Sequence, residues 1–422
     1  MLHGLNRVNQ RLVNPFPWKQ RGGFAYGRPV NPFQLAPGDS TRAIAQRVTL
    51  LAACFLTMLA SMPLWMSARL FPQLPVSASF PGLSAPWDAV AFAIVLGSLV
   101  AAVWLPKIGT PLFLVSSLLL ALADQCRLQP WFYMYWVMLL LTLAKGTSAM
   151  MACRIALSAV YIWGGAQKLT PEFFDLVAPW FVNPASAWLP AGAVTALKWG
   201  VYSAPFVEIF IGLALWFQRT RMSAIVATIV VHLIAILFLG PLGHKHNWIV
   251  WPWNLVMPAL VIVLFPRGAV ENVWSSLRRP LWSFVAVTLF SLLPILSFFG
   301  KWDSYLSFSL YTGRLTKADI FISASLREKL PPSLHEFIVA TPTPFNEQLQ
   351  GPYVVLTELW ADKILRTPPL PESRNYRNVA RYLASFASDP NDLRMVLIPR
   401  VGKPLFYRGS DLRPEAGIPL DL

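Results

Sequence analysis

Long apolar runs separated by short polar breaks fill the first 300 residues of the chain. Runs long enough to carry an α-helix across a hydrocarbon core, roughly 17–25 residues, fall at 48–70, 87–106, 148–166, 196–217, 222–242, 247–266 and 281–299. Two shorter runs, 108–123 and 131–145, flank the polar stretch from Asp124 to Pro130. They cross as a pair or form a re-entrant hairpin, and the parity of the later helices is the same either way. The pattern predicts an all-α polytopic membrane bundle of about nine spans over 48–299.

From residue 300 the pattern changes. Period-2 patches at Tyr353–Thr357 and Arg394–Ile398 flank a helical stretch at Tyr376–Phe386. Residues 300–422 therefore read as a small α+β domain. Its strands either fold by themselves or lie as a cap on the membrane helices.

Composition fits the bilayer. The chain is 55% apolar and 13% charged, whereas soluble domains carry about 25% charged residues. A formal charge of +15 would suit a nucleic-acid ligand, but its distribution speaks against one. Residues 1–47 hold Arg7, Arg11, Lys19, Arg21, Arg28, Arg42 and Arg47 against Asp39 alone, and read as a basic cytoplasmic tail. That tail has no short apolar region ending in small residues, so it does not read as a signal peptide. Lys107, Lys145, Arg219, Arg221, Arg267, Arg278 and Arg279 fall in alternate loops. The positive-inside rule then sets the N-terminus inside. An odd number of spans puts residues 300–422 outside, as in a bacterial inner-membrane protein with a periplasmic C-terminus. The expected partners are the lipid bilayer and a protein or peptide at the C-terminal domain, with no nucleic acid. Cys54, Cys126 and Cys153 show no pairing pattern, so neither a disulfide framework nor a metal site is expected.

Candidate chemistry gathers at three boundaries. The stretch Tyr161-Ile-Trp-Gly-Gly-Ala-Gln-Lys168-Leu-Thr-Pro-Glu172 closes an apolar segment with a lysine one turn after two glycines. Thr170-Pro171-Glu172 then reads as the cap and first turn of a new helix. Lys168 either snorkels to water or faces a crevice that the glycines open. Arg154, Tyr161 and Lys168 recur every seven residues, on one helix face. Glu208 and His232 lie at matching depths in later spans, which permits a hydrogen bond between them. Arg154, Glu208 and His232 thus form a candidate intramembrane polar network. The second boundary, around Trp248, Trp251, Trp253 and Asn254, is an interfacial aromatic belt or an aromatic wall for a quinone ring, with Asn254 bonding a ring oxygen. His244 and His246 stand too close in sequence for a helical metal pair. The third boundary is Asp124–Tyr135, with Arg127, Gln129, Trp131, Tyr133 and Tyr135.

The stretch ending Gly164-Gly-Ala-Gln-Lys168-Leu169 resembles the aromatic-x-x-Ala-Gly-x-x-Lys-Leu motif of the horizontally transferred transmembrane family. That family includes the vitamin K-dependent gamma-carboxylases. The resemblance implies an inside N-terminus, an odd number of spans, a lumenal C-terminal part and a lysine base, here Lys168, that deprotonates vitamin K hydroquinone. His232, followed eight residues later by Gly240, is similar to a later family stretch. Asp124–Tyr135 resembles the segment carrying the family's catalytic histidine, and Trp131 stands where that histidine would be. The pattern Gly165-x-x-Lys168-Leu169-x-Pro171, with Glu208 and Gly212, is also similar to the DoxX/MauE redox-associated membrane proteins. At motif level these likenesses cover residues 108–260. They imply an enzyme using vitamin K hydroquinone or another quinol, with Lys168 as general base and Tyr161, Trp131, Trp251, Trp253 and Asn254 about the cofactor. The alternative is a non-catalytic assembly protein that docks a partner through its C-terminal domain.

Overall fold

In the computed structural model the described residues are 41–77, 79–80, 82–144, 147–240, 243–244, 249–265, 280–342 and 352–412. Most of the basic tail, Lys145, His246, Trp248, Arg267, Arg278 and Arg279 lie outside them. Among the described residues the fold is mostly helical, and six helices are long and apolar enough to cross a membrane. These are α1 (Thr41–Ala60), α3 (Trp87–Trp104), α4 (Pro106–Ala123), α6 (Thr147–Ala166), α9 (Arg221–Leu239) and the helical run α11 (Leu281–Phe299). Between them lie α2 (Met62–Trp65), α5 (Pro130–Leu141), α7 (Ala178–Val182), α8 (Ala191–Ala214) and α10 (Val250–Leu264).

Local sequence explains the boundaries. The first apolar run, expected over 48–70, is already helical at Thr41, where the described residues begin, and the helix stops at Ala60. There the Ser61 hydroxyl donates back to Thr57 O (2.8 Å) and Pro63 prevents continuation. α5 spans only 12 residues, about 18 Å of helix, and so falls short of the hydrocarbon thickness by itself.

α6 is the central helix, and it packs closely against α8. A Cβ placed on Gly165 would stand 2.3 Å from Pro205 O, and one on Gly212 2.6 Å from Ser158 O. The two helices therefore cross antiparallel with backbones in contact, which only small residues permit. Gly165→Val is expected to force them apart at a cost of about 1–3 kcal/mol. Gly192→Ala, which meets nothing within 4 Å, is the neutral control. Thermal unfolding in detergent reads the difference.

The polar stretch after α4 folds into a short 3-10 turn, Gln125–Arg127. Arg127 is fully buried and donates to Leu64 O, Leu120 O and Trp65 O at 2.7–3.1 Å. Burial draws its guanidinium down to about 10, so it stays charged at neutral pH. Asp124, also fully buried, pairs with Arg69 and accepts from the Leu74 and Cys126 amides.

Beyond α11 the chain builds a five-stranded antiparallel sheet in the order β2-β3-β1-β4-β5. The strands are β1 (Lys317–Ile322), β2 (Ile338–Ala340), β3 (Tyr353–Val355), β4 (Leu393–Ile398) and β5 (Leu405–Arg408). Four α-helices accompany them among the described residues: α12 (Ala324–Lys329), α13 (Thr357–Leu365), α14 (Ser373–Ala384) and α15 (Gly409–Leu412). α14 buries Tyr376, Val379, Ala380 and Leu383, an i, i+3, i+4, i+7 stripe, and packs on β1 and β4.

This module docks on the helices, and one buried core runs through both. Trp360 meets Phe71 edge-on with centroids 4.9 Å apart, and Asn378 Nδ2 donates to Gln73 O (2.9 Å). Gln129 Nε2 donates to Pro368 O, and Arg374 ties Gln125 to Asp303. Arg400 donates to Gln167 Oε1 and to Ser309 Oγ, joining the end of β4 to the residue before Lys168.

One carboxyl in the module is held at a cost. Burial, with the charge of Asp303 beside it, pushes Glu372 up to about 7 from the ordinary 4.5. Its Oε1 still accepts the Ser304 amide (2.7 Å). The folded state therefore binds this proton more tightly than the unfolded chain does. Its contribution to stability is full below pH 4.5 and is lost as pH rises to about 7. Glu372→Gln, which keeps the acceptor, is expected to flatten that slope in unfolding midpoints measured between pH 4.5 and 8.

Candidate functional site in the helix bundle

A cavity of about 1430 Å³ lies between α6, α8, α9, α10 and the sheet-bearing module. All three boundaries singled out in the sequence reach it. Trp131 opens α5, Tyr161 and Lys168 come from α6 and the turn after it, and Trp253 and Asn254 come from α10. The remaining wall is largely apolar. Val226 and Val230 of α9 line the cavity while also facing the outer surface of the bundle.

Lys168 owes its place to the end of α6. The last turn tightens, with the Lys168 amide bonding Gly165 O (3.0 Å), and Thr170 Oγ1 accepts from the Phe173 amide to start the next helical run. The ammonium is left to donate to Gly164 O, an end-of-helix carbonyl, at 2.9 Å. It also donates to Glu208 Oε2 at 2.8 Å. Both side chains of this ion pair are mostly buried, and both line the cavity.

A second polar group stands beside it. The Tyr161 hydroxyl lies 2.8 Å from His232 Nε2, and His232 Nδ1 lies 2.7 Å from Asn254 Oδ1. Asn254 Nδ2 donates to Val250 O (2.7 Å). A backbone carbonyl only accepts, so that bond orients the Asn254 amide and turns its Oδ1 toward the imidazole. His232 must then carry its proton on Nδ1, and its bare Nε2 accepts from Tyr161. Every donor in this relay points from Tyr161 toward α10.

Comparison with protein-family models, with curated proteins and with solved structures found no match. The site therefore rests on its own geometry.

That geometry redistributes the polar residues. Glu208 and His232 do not bond one another: Glu208 takes Lys168, and His232 takes Tyr161 and Asn254. Arg154 belongs to neither group. Its Nε donates to Leu264 O (2.7 Å), which ties α6 to α10 away from the cavity. Asn254 lines the cavity, and its amide bonds both His232 and Val250, so it orients the histidine. Trp131 and Trp253 are wall residues, whereas Trp251 is not.

The cavity's other half carries no signal in the sequence. Tyr305, Phe308, Tyr311 and Tyr376 line it from the sheet-bearing module, as do Glu358 and Asp362, one turn apart on α13. The positive φ of Phe308 and of Tyr311 places these rings in a way no periodic pattern signals.

Proposed function

We propose that the chain is a membrane enzyme acting on a quinol-type, lipid-soluble cofactor, with Lys168 as general base. In this reading about nine spans cross the membrane with the N-terminus inside, and the sheet-bearing module lies on the extracytoplasmic side. The horizontally transferred transmembrane, carboxylase-like family remains the proposed kinship. The observation that carries the reading is the Lys168–Glu208 pair in the wall of a large, mostly apolar cavity.

Lys168 Nζ would take a proton from a hydroquinone hydroxyl while passing one of its own to Glu208 Oε2, so charge and protons balance, the lysine ending as an ammonium and Glu208 as a carboxylic acid. The retained ammonium would stabilise negative charge beside it, where low polarity strengthens the attraction. Trp131 and Trp253, in the cavity wall, would lie about the ring. The second reading, a non-catalytic protein that holds a quinone or docks a partner, draws support from the mutual satisfaction of the polar groups at rest.

Oxygen uptake by the protein in lipid nanodiscs, supplied with vitamin K hydroquinone, separates the two. Wild type is expected to consume oxygen, and Lys168→Ala to lose that uptake while still quenching tryptophan fluorescence on binding the quinone. Binding without uptake in wild type would favour the non-catalytic reading.

A further inference from the structure

The outer end of α11 is covered by a part of the sheet that the quinol site does not use. The turn between β4 and β5 reads Pro399-Arg-Val-Gly-Lys-Pro404. Val401 Cβ lies 3.6 Å from the Cβ position of Gly300, the first residue after α11, and the Arg400 guanidinium sits over the Phe298 ring at 5.6 Å. Phe299 is 66% exposed, in continuity with the apolar surface of its helix. Ile398, Val401 and Leu405 carry that apolar surface onto the hairpin, each about two-fifths exposed or more. Lys301, Arg314 and Lys403 surround it, all exposed and none in an ion pair among the described residues.

A spanning helix passes from hydrocarbon to headgroups where its apolar run gives way to charge, here at Phe299-Gly300-Lys301. The hairpin tip is fastened at that level by Val401 and Arg400. We infer that the β4–β5 tip is a membrane-interface anchor, with Val401 and Leu405 among the upper acyl chains and Lys301, Arg314 and Lys403 on anionic lipid headgroups. Apolar side chains ringed by lysine and arginine match such a surface in both hydrophobicity and charge. The anchor is independent of whatever the cavity binds. Through Arg400 and Gln167 it also ties lipid contact to the turn that carries Lys168.

The native thiols Cys54, Cys126 and Cys153 are all buried, so an introduced cysteine can be labelled selectively. An environment-sensitive fluorophore is placed on Val401→Cys, Leu405→Cys or Asn391→Cys in the full chain, reconstituted in nanodiscs of phosphatidylcholine and phosphatidylglycerol. Asn391 precedes β4 at the far end of the strand, roughly 25 Å from the tip at about 3.3 Å per residue. Lipids carrying a quencher near the headgroup are expected to dim the labels at 401 and 405 roughly twofold and to leave 391 unchanged. Lys301→Gln, Arg314→Gln and Lys403→Gln are each expected to weaken phosphatidylglycerol binding roughly fivefold, titrated into phosphatidylcholine discs with the 405 label as readout. Equal quenching at 391 and 401 would overturn the inference. So would protection of the tip that disappears on dilution, the mark of a second copy. Unchanged melting of the labelled variants shows that the fold survives.

Discussion

Asp124→Ala is expected to destabilise the protein by about 3–5 kcal/mol, the usual result of removing one partner from a buried charge pair. The aspartate neutralises Arg69, and both side chains are essentially inaccessible. Its other oxygen accepts the amides of Leu74 and Cys126. Arg127, next to it, donates its hydrogen bonds to carbonyls, and its Nε stands 3.9 Å from Asp124 Oδ2, so the same aspartate also balances its charge. Alanine would leave two buried guanidiniums facing one another with no anion between them. Arg69 and Leu74 would lose their tie to the end of α4, and the sheet-bearing module that rests on Phe71 and Gln73 would loosen with them. Asp124→Asn retains an acceptor for the two amides and should fall between wild type and alanine. Equilibrium unfolding in detergent ranks the three. An alanine variant as stable as wild type would mean that the two arginines find other partners.

Glu208→Gln is expected to cut quinol turnover by about 10²–10⁴-fold, the range associated with losing a positioned proton acceptor. Glutamine still accepts a hydrogen bond from Lys168 but cannot take its proton, so the relay stops at an ammonium with nowhere to discharge. Quinone affinity, read from tryptophan quenching by Trp131 and Trp253 in the cavity wall, should change little. Glu208→Asp, one methylene shorter, should keep part of the activity. If glutamine supports full turnover, the carboxylate only balances the lysine charge, and the proton leaves by another route.

The legible and illegible parts of this chain divide along a physical line. The long helices follow from apolar runs of spanning length. β3, β4 and α14 follow from period-2 and helical stripes in a charge-balanced segment. β2 and β5, at three and four residues, are too short for periodicity to register. Asp124 and Arg69 are separated by 55 residues, with α3 and α4 between, and no local pattern links them.

At the site, Trp131, Tyr161, Lys168, Trp253 and Asn254 line one cavity while Trp251 and Arg154 stay out of it, and the polar pairing was not readable. Matching depth along two spans suggested Glu208 with His232. Depth carries no information about rotation around the helix axis, and α8 turns Glu208 toward Lys168 instead. Gly165 and Gly212 set that rotation, because they are the points where α6 and α8 touch.

The one-way order of the Tyr161–His232–Asn254 bonds has a consequence for the oxidation state of a bound ring. With its proton committed to His232, the Tyr161 oxygen offers the cavity lone pairs alone. A reduced ring brings a hydroxyl that can donate to those lone pairs, whereas an oxidised ring brings a carbonyl that can only oppose them. On the proposed quinol reading, Tyr161 would therefore favour the reduced ring over the oxidised one.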